Sequence, residues 1–200
     1  KLAEAGATAI TVSGGEPFVR TDIIEILRYI KTKNIHITCI TNGTAAYSKY
    51  EQALSVVDDL AFSLDGNSVL HSFIRKDVFP QVEKTIDLLL TNNANHAKMS
   101  IIFTLHHLNI DFFHEMKEYA SSKGISNTFS IFTAEVNKET ENYALQKDDF
   151  LKLSMLSTED FPITIEGLAS SLCYRQNCGA GKRIISVAAN GDVFPCQMFY

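Results

Sequence analysis

Three short segments bring together residue types that can hold a small polar ligand. In Ser13-Gly14-Gly15-Glu16-Pro17, two glycines follow a β-rich run, so the backbone can take positive φ and present its own N–H and C=O groups. Pro17 stiffens the exit from that turn. Glu16 then stands at a rim, where its carboxylate can accept a hydrogen bond from an ammonium group. A tight βα turn with a solvated glutamate fits the same residues. Thr41-Asn42-Gly43-Thr44 and Ser63-Leu64-Asp65-Gly66 repeat the pairing of glycine with small polar groups, and His71 and Arg75 follow the second of them. An arginine in such a place can pair both oxygens of a carboxylate through its planar fork. A fourth cluster lies near the end, where Cys178 and Cys196 flank a hairpin pattern that draws their sulfurs together, with Cys173 close by.

The elements that position these segments alternate strand and helix. Strands are expected at Ala9–Val12, Ile35–Ile40, Leu60–Leu64, Lys98–Leu105 and Asn127–Thr133. Helices are expected between them: one capped by Thr21-Asp22 with Ile23, Leu27 and Ile30 on a face, one over Ser48–Ser55, and one over Pro80–Leu90 with Val82, Ile86, Leu89 and Leu90 buried. A further helix is capped by Asp111, carries Phe113 and Met116, and ends at Gly124. Five strands in this alternation imply a parallel sheet, either doubly wound or part of a barrel, with function at the strands' C-terminal ends. From Glu135 to Asp160 the chain turns polar, with a short helix near Asp148–Leu156. Arg183–Ala188, Asn190-Gly191 and Asp192–Phe194 read as a hairpin. Leu2–Ala5 followed by Gly6 reads as the last turn of a helix whose start lies earlier, so the 200 residues are expected to be part of a longer protein.

Composition excludes several classes. Hydrophobic residues are 46% and charged residues 20%, the balance of a globular chain, and the net charge of −5 with no basic stretch argues against nucleic-acid binding. No apolar run is long enough to span a bilayer and no signal peptide is present, so a cytoplasmic location and reduced thiols are expected. Cys39 lies inside a strand and reads as a buried apolar residue. Asp65, His71, His106, His107 and Asn109 sit at rims without a chemistry that sequence alone assigns. None of the glycine-rich rims carries a phosphate-loop lysine or a Gly-x-Gly-x-x-Gly turn, which argues against a nucleotide-binding enzyme of another family.

In their order, Gly14-Gly15-Glu16-Pro17, Thr41-Asn42-Gly43-Thr44, and Ser63 with His71 and Arg75 resemble the rims of radical S-adenosylmethionine enzymes, above all peptide- and sulfatase-modifying members. The resemblance implies a partial (β/α) TIM-type barrel, strands 2 to 6, over residues 1–135, a linker or lid over 136–161, and a further domain from 162 to 200. It implies that Gly14, Gly15, Glu16, Pro17, Asn42, Ser63 and Arg75 hold S-adenosylmethionine. Cys178-Gly179-Ala180-Gly181, Gly191 and Cys196 resemble the opening of a SPASM-type domain, which implies that Cys178 and Cys196, with Cys173 possible in sequence terms, bind an auxiliary [4Fe–4S] cluster. The family's Cys-x3-Cys-x2-Cys loop for the catalytic cluster is absent, and is expected before Lys1. The implied chemistry is reductive cleavage of S-adenosylmethionine to a 5′-deoxyadenosyl radical that takes hydrogen from a peptide or protein, as in thioether crosslinking. A flavodoxin- or ferredoxin-like reductant is implied as partner. The alternatives are a sulfatase-maturating enzyme and a non-catalytic, barrel-derived peptide-binding partner. The isolated 200 residues are expected to be inactive.

Overall fold

The computed structural model describes residues 1–92, 98–132, 138, 140–155 and 179–196. Five parallel strands form one sheet: β1 Ala9–Val12, β2 His36–Thr41, β3 Asp59–Ser63, β4 Met99–Leu105 and β5 Ser126–Ile131. They lie in sequence order, β1-β2-β3-β4-β5. Right-handed crossovers between sequential neighbours put every connecting helix on one face, and no reversal of order creates the switch point of a doubly wound sheet.

Register shows which face the helices cover. Phe103 pairs with Phe129 and Thr104 with Ser130, so the phenylalanines share one face and the hydroxyls the other. Helix α2 (Tyr47–Leu54) reaches the first face through Tyr50, whose ring meets Phe62 edge-on at 5.6 Å. Helix α5 (Phe113–Ser122) does the same through Phe113, 4.2 Å from Phe129. Ile37, Cys39, Leu60, Ile101 and Leu105 complete this fully buried layer. Each such aromatic or aliphatic side chain stabilises the fold by roughly 1.5–3 kcal/mol. The opposite face carries Thr38, Ser63, Ile102, Thr104, Thr128 and Ser130, all half-buried. Thr104 Oγ1 and Ser130 Oγ are hydrogen-bonded across it at 3.2 Å. Hydroxyls dominate this face, with Ile40, Ala61 and Ile102 among them.

The remaining helices are α1 Ile23–Lys31, α3 Ser68–Arg75, α4 Phe79–Asn92 and α6 Lys147–Met155. Helix α3 was not expected from sequence. Two expected caps differ. Asp22 makes no capping bond and pairs with Arg20 instead, and Asp111 lies inside a 3-10 turn, Ile110–Phe112, and pairs with Lys152. Leu90 is half-buried rather than buried, because α4 turns Val82, Ile86 and Leu89 inward. Leu2–Ala7 is a helical turn closed at both levels of a Schellman motif: Gly6 N–H donates to Ala3 O at 3.0 Å and Ala7 N–H to Leu2 O at 3.0 Å, with Gly6 at φ 89°.

The chain divides into two compact units, residues 1–164 and 165–200. The second contains an antiparallel hairpin of β6 Ser186–Val187 and β7 Val193–Phe194, turned at Gly191 with φ 93°. Its strands are shorter than sequence suggests, because Gly179 to Ile184 forms a tight turn in which Arg183 and Ile184 both donate to Gly179 O. The expected strand end at Thr133, the end of the lid helix at Leu156, and Cys173 and Cys178 lie outside the described residues.

Candidate functional site

Glu16 ties together the turns after β1 and β2. It caps the 3-10 turn Pro17–Val19, its Oε1 accepting from Phe18 N–H at 3.0 Å. The same oxygen accepts from Thr41 Oγ1 at 2.8 Å, and Oε2 accepts from Asn42 N–H at 2.7 Å. The carboxylate that sequence offers to a ligand is therefore also an internal tie. Three donors leave about one of its four acceptor sites open. Gly14 takes φ 127°, and nothing lies within 4 Å of where a Cβ would stand on Gly14 or Gly15, so this turn leaves its backbone open. Pro17 and Phe18 are buried, Phe18 edge-on to Tyr50 at 4.7 Å, which anchors the turn to the core. Asn42 Oδ1 accepts from Thr44 N–H at 2.9 Å and from its hydroxyl at 2.7 Å, fixing the second rim.

The third rim is built around Asp65. Its Oδ2 accepts from Arg75 Nε, its Oδ1 from Thr104 N–H at 3.1 Å, and its own N–H donates to His71 Nδ1 at 3.2 Å. Asn109, fully buried, donates Nδ2–H to Asp65 O at 3.1 Å and to Thr104 O at 2.8 Å, and accepts from His106 N–H at 2.8 Å. Asp65, His71 and Asn109 thus form the frame that holds the ends of β3 and β4. Burial pushes the His71 imidazole below its usual range. Arg75 ends α3, and its side chain makes no other hydrogen bond among the described residues. Ser63, the last residue of β3, keeps its half-buried hydroxyl without a partner among those residues.

Beside this frame is a cavity of about 310 Å³, lined by Asp65, Arg75, Thr104, His106, Phe132 and Tyr143 among others. Part of the expected lid forms one wall. His107 N–H donates to Tyr143 O at 3.1 Å, and His107 Nδ1 meets Asp149 Oδ2 at 2.8 Å, with Asp149 buried near the start of α6. Sequence reading passed over Phe132 and Tyr143. Tyr143 sits in a polar stretch, and its roles come from packing: its ring meets His106 at 5.2 Å and Phe132 at 5.7 Å between centroids. A larger concavity of about 440 Å³, lined by Glu83, Glu115 and Glu118, opens among α3, α4 and α5 and includes none of the expected site residues.

In the second unit, Gly181 N–H lies 2.8 Å from Pro195 O, which brings the Gly179–Gly181 run beside Cys196. Cys196 is half-buried. Cys39 is fully buried, and burial pushes its thiol up to about 12, as suits a core residue. Among the described residues, no group of three or more His, Cys, Asp or Glu side chains is placed to hold a metal.

The sequence pattern of the Radical SAM superfamily matches residues 1–120. The mycofactocin maturase MftC of Mycolicibacterium smegmatis is 24% identical over 94% of this chain and 51% of its own length. A probable GTP 3′,8-cyclase of Pyrococcus abyssi is 28% identical over 80% of this chain and 52% of its own. The chain spans about half the length of these curated relatives. In fold it is similar to Streptococcus suis SuiB bound to S-adenosylmethionine, with a TM-score of 0.73 and 17% identity over 99% of this chain and 51% of SuiB. SuiB bound to the precursor peptide SuiA matches with a TM-score of 0.68.

Proposed function

This chain belongs to the radical SAM superfamily, whose members use S-adenosylmethionine and a [4Fe–4S] cluster, and from that premise we propose that the protein containing it cleaves S-adenosylmethionine to modify a peptide. The observation that carries the reading is the Glu16 rim: a fixed carboxylate with an acceptor site left, beside an open diglycine turn. The residues fit the methionine half of the cofactor. Glu16 and the open backbone of Gly14 and Gly15 suit its ammonium, Pro17 and Asn42 hold those turns, and Ser63 with the Nη groups of Arg75 suits its carboxylate or the ribose. They do not supply the catalytic cluster, since the four cysteines contain no Cys-x3-Cys-x2-Cys. That cluster's ligands belong, in this reading, to a part of the protein outside these residues. When bound, the two groups supply the family's one-electron chemistry, a 5′-deoxyadenosyl radical that abstracts hydrogen from substrate.

The sheet is read as an arc of a (β/α) barrel, supported by its sequential order and its hydroxyl-rich second face. The hairpin unit is read as the opening of a SPASM-type domain, with Cys178 and Cys196 as ligands of an auxiliary cluster. The close approach of Gly181 to Pro195 supports this. A peptide substrate is preferred because the matches to the maturase and to SuiB run through 94% and 99% of the chain, against 80% for the cyclase.

The test is made on the full-length protein, loaded with iron and sulfide without oxygen, reduced and given S-adenosylmethionine. 5′-Deoxyadenosine is expected, and its loss in Glu16→Ala and Arg75→Ala. A folded, cluster-loaded protein that neither forms it nor binds S-adenosylmethionine refutes the reading.

A further inference from the structure

Thr41 and Tyr50 form a buried hydrogen-bond chain that ends on Glu16, and its partners fix the direction of every proton in it. Thr41 closes β2 and Tyr50 lies in α2, and both side chains are buried. The Glu16 carboxylate only accepts, so the single hydroxyl proton of Thr41 goes to its Oε1, at 2.8 Å. Gly43 N–H donates to Thr41 Oγ1 at 3.1 Å. The 3.2 Å bond between Tyr50 Oη and Thr41 Oγ1 is then donated by Tyr50. Tyr50 Oη in turn accepts from Ala45 N–H at 2.8 Å. Burial pushes the Tyr50 phenol up from its usual range, so it keeps the proton that this order needs. The N–H groups of Gly43 and Ala45 account for the acceptors that the two hydroxyls provide. They do not account for the protons that both hydroxyls send on towards Glu16.

We propose that Thr41 and Tyr50 are positioning residues, whose chain holds Glu16 in the one orientation that receives the ammonium of S-adenosylmethionine. They act through Glu16, and the proposal rests on the cofactor reading above. Oε1 already accepts from Phe18 N–H and Thr41 Oγ1, and Oε2 from Asn42 N–H alone, so the acceptor site left for a ligand is on Oε2. Thr41 fills one oxygen and thereby directs the ligand to the other. Without its hydroxyl, Oε1 keeps only Phe18 N–H and gains an open site, and the ammonium no longer meets one defined oxygen. An acceptor fixed in advance costs less ordering when the ligand arrives. Helix α2 is itself tied to the first rim. Lys49, next to Tyr50, donates from Nζ to Phe18 O at 2.5 Å and to Arg20 O at 3.1 Å. A helix that carries none of the expected cofactor residues thus sets the geometry of the turns that do.

The test measures S-adenosylmethionine binding by calorimetry on the full-length, cluster-loaded protein. Thr41→Val is expected to weaken binding about tenfold or more, Tyr50→Phe about three- to tenfold, and Thr41→Ser, which restores the hydroxyl, to stay within about threefold of the native protein. The same changes are then made together with Glu16→Gln. In that background Thr41→Val is expected to cost less than about twofold further, because a residue that acts through the carboxylate has nothing left to position. A merely structural role predicts equal losses in the two backgrounds, and that result overturns the inference, as does native affinity in folded Thr41→Val and Tyr50→Phe. Thermal melting shows which variants fold. If Thr41→Val does not, Tyr50→Phe in the two backgrounds decides, since it removes one oxygen and leaves the ring in place. Failure of the cofactor reading itself looks different: the native protein then binds no S-adenosylmethionine, and the proposal falls with it.

Discussion

Arg75, the last residue of α3, donates its Nε–H to Asp65, the carboxylate two residues beyond the end of β3. The Asp65 side chain is 4% exposed and that of Arg75 34% exposed, so one charge is buried and the other faces the cavity. Removing one partner of a buried pair leaves an uncompensated charge and costs about 3–5 kcal/mol, whereas removing both costs less than the sum. Arg75→Ala is therefore expected to destabilise the fold by about 3 kcal/mol, and Asp65→Ala/Arg75→Ala by less than the two single changes added together. Urea unfolding of the three variants measures the coupling. Additive losses would show that the pair is not a structural unit.

Glu16→Gln tests the tie between the first two rims. The amide keeps one acceptor oxygen but sets an NH2 group against a donor: Asn42 N–H in one orientation, Phe18 N–H and Thr41 Oγ1 in the other. A loss of about 1–3 kcal/mol is expected. Affinity for S-adenosylmethionine is expected to fall at least about tenfold, since the amide also offers its donor to the ammonium. Thermal melting and calorimetric titration read the two effects separately. An unchanged affinity would remove Glu16 from the binding site.

The strands and the order of the rims were legible because period-two hydrophobicity and glycine-rich turns are local signals. Cys39 was legible too, lying at a core position of a strand. Helix α3 was not. Asp65-Gly66-Asn67-Ser68 reads as a turn, and the helix is only eight residues long. The available signal was Asn67, whose side chain accepts from Leu70 N–H, with Leu70 and Ile74 four apart on one face. The caps at Asp22 and Asp111 misled because Arg20 and Lys152 compete for the same carboxylates, the second from 41 residues away. The cavity was invisible for a similar reason, since Phe132, Tyr143 and His106 meet only through tertiary packing.

Lys76, directly after Arg75, takes φ 66° and ψ −179°, a region that favours glycine. A side chain held there costs of order 1–3 kcal/mol. Lys76→Gly relieves that strain, less about 0.5–1 kcal/mol of glycine's entropy in the unfolded chain. A net gain of about 1 kcal/mol is expected in urea unfolding. A net loss would mean that Lys76 contributes through its side chain instead.

The hairpin reading makes an iron prediction. Under anaerobic reconstitution of the full-length protein, Cys196→Ser is expected to lose one cluster, about four iron atoms. Cys39→Ser is the control, because a fully buried thiol with its ionisation pushed up to about 12 is no ligand, and its iron content is expected to match the native protein. Equal iron in all three proteins would sink the auxiliary-cluster assignment.

His71 and His106 predict how stability responds to acid. Both imidazoles are held below the usual histidine range, first by burial, with Asp65 acting weakly in the opposite direction. Between the folded and unfolded values the unfolded chain binds more protons, so stability rises with pH across that window. The contribution is complete above the unfolded value near 6.5 and is lost as pH falls through the lower folded values. Each ring adds at most about 1.4 kcal/mol per pH unit to the slope. Urea unfolding at pH 7.5, 6.5 and 5.5 is expected to show the native protein weakening over the lower step. His106→Gln, which does not titrate, is expected to flatten that step by up to one ring's share, and His71→Asn, which keeps an acceptor near Nδ1 for Asp65 N–H, by the other. If the native protein is as stable at pH 5.5 as at 7.5, the rings are not buried neutral.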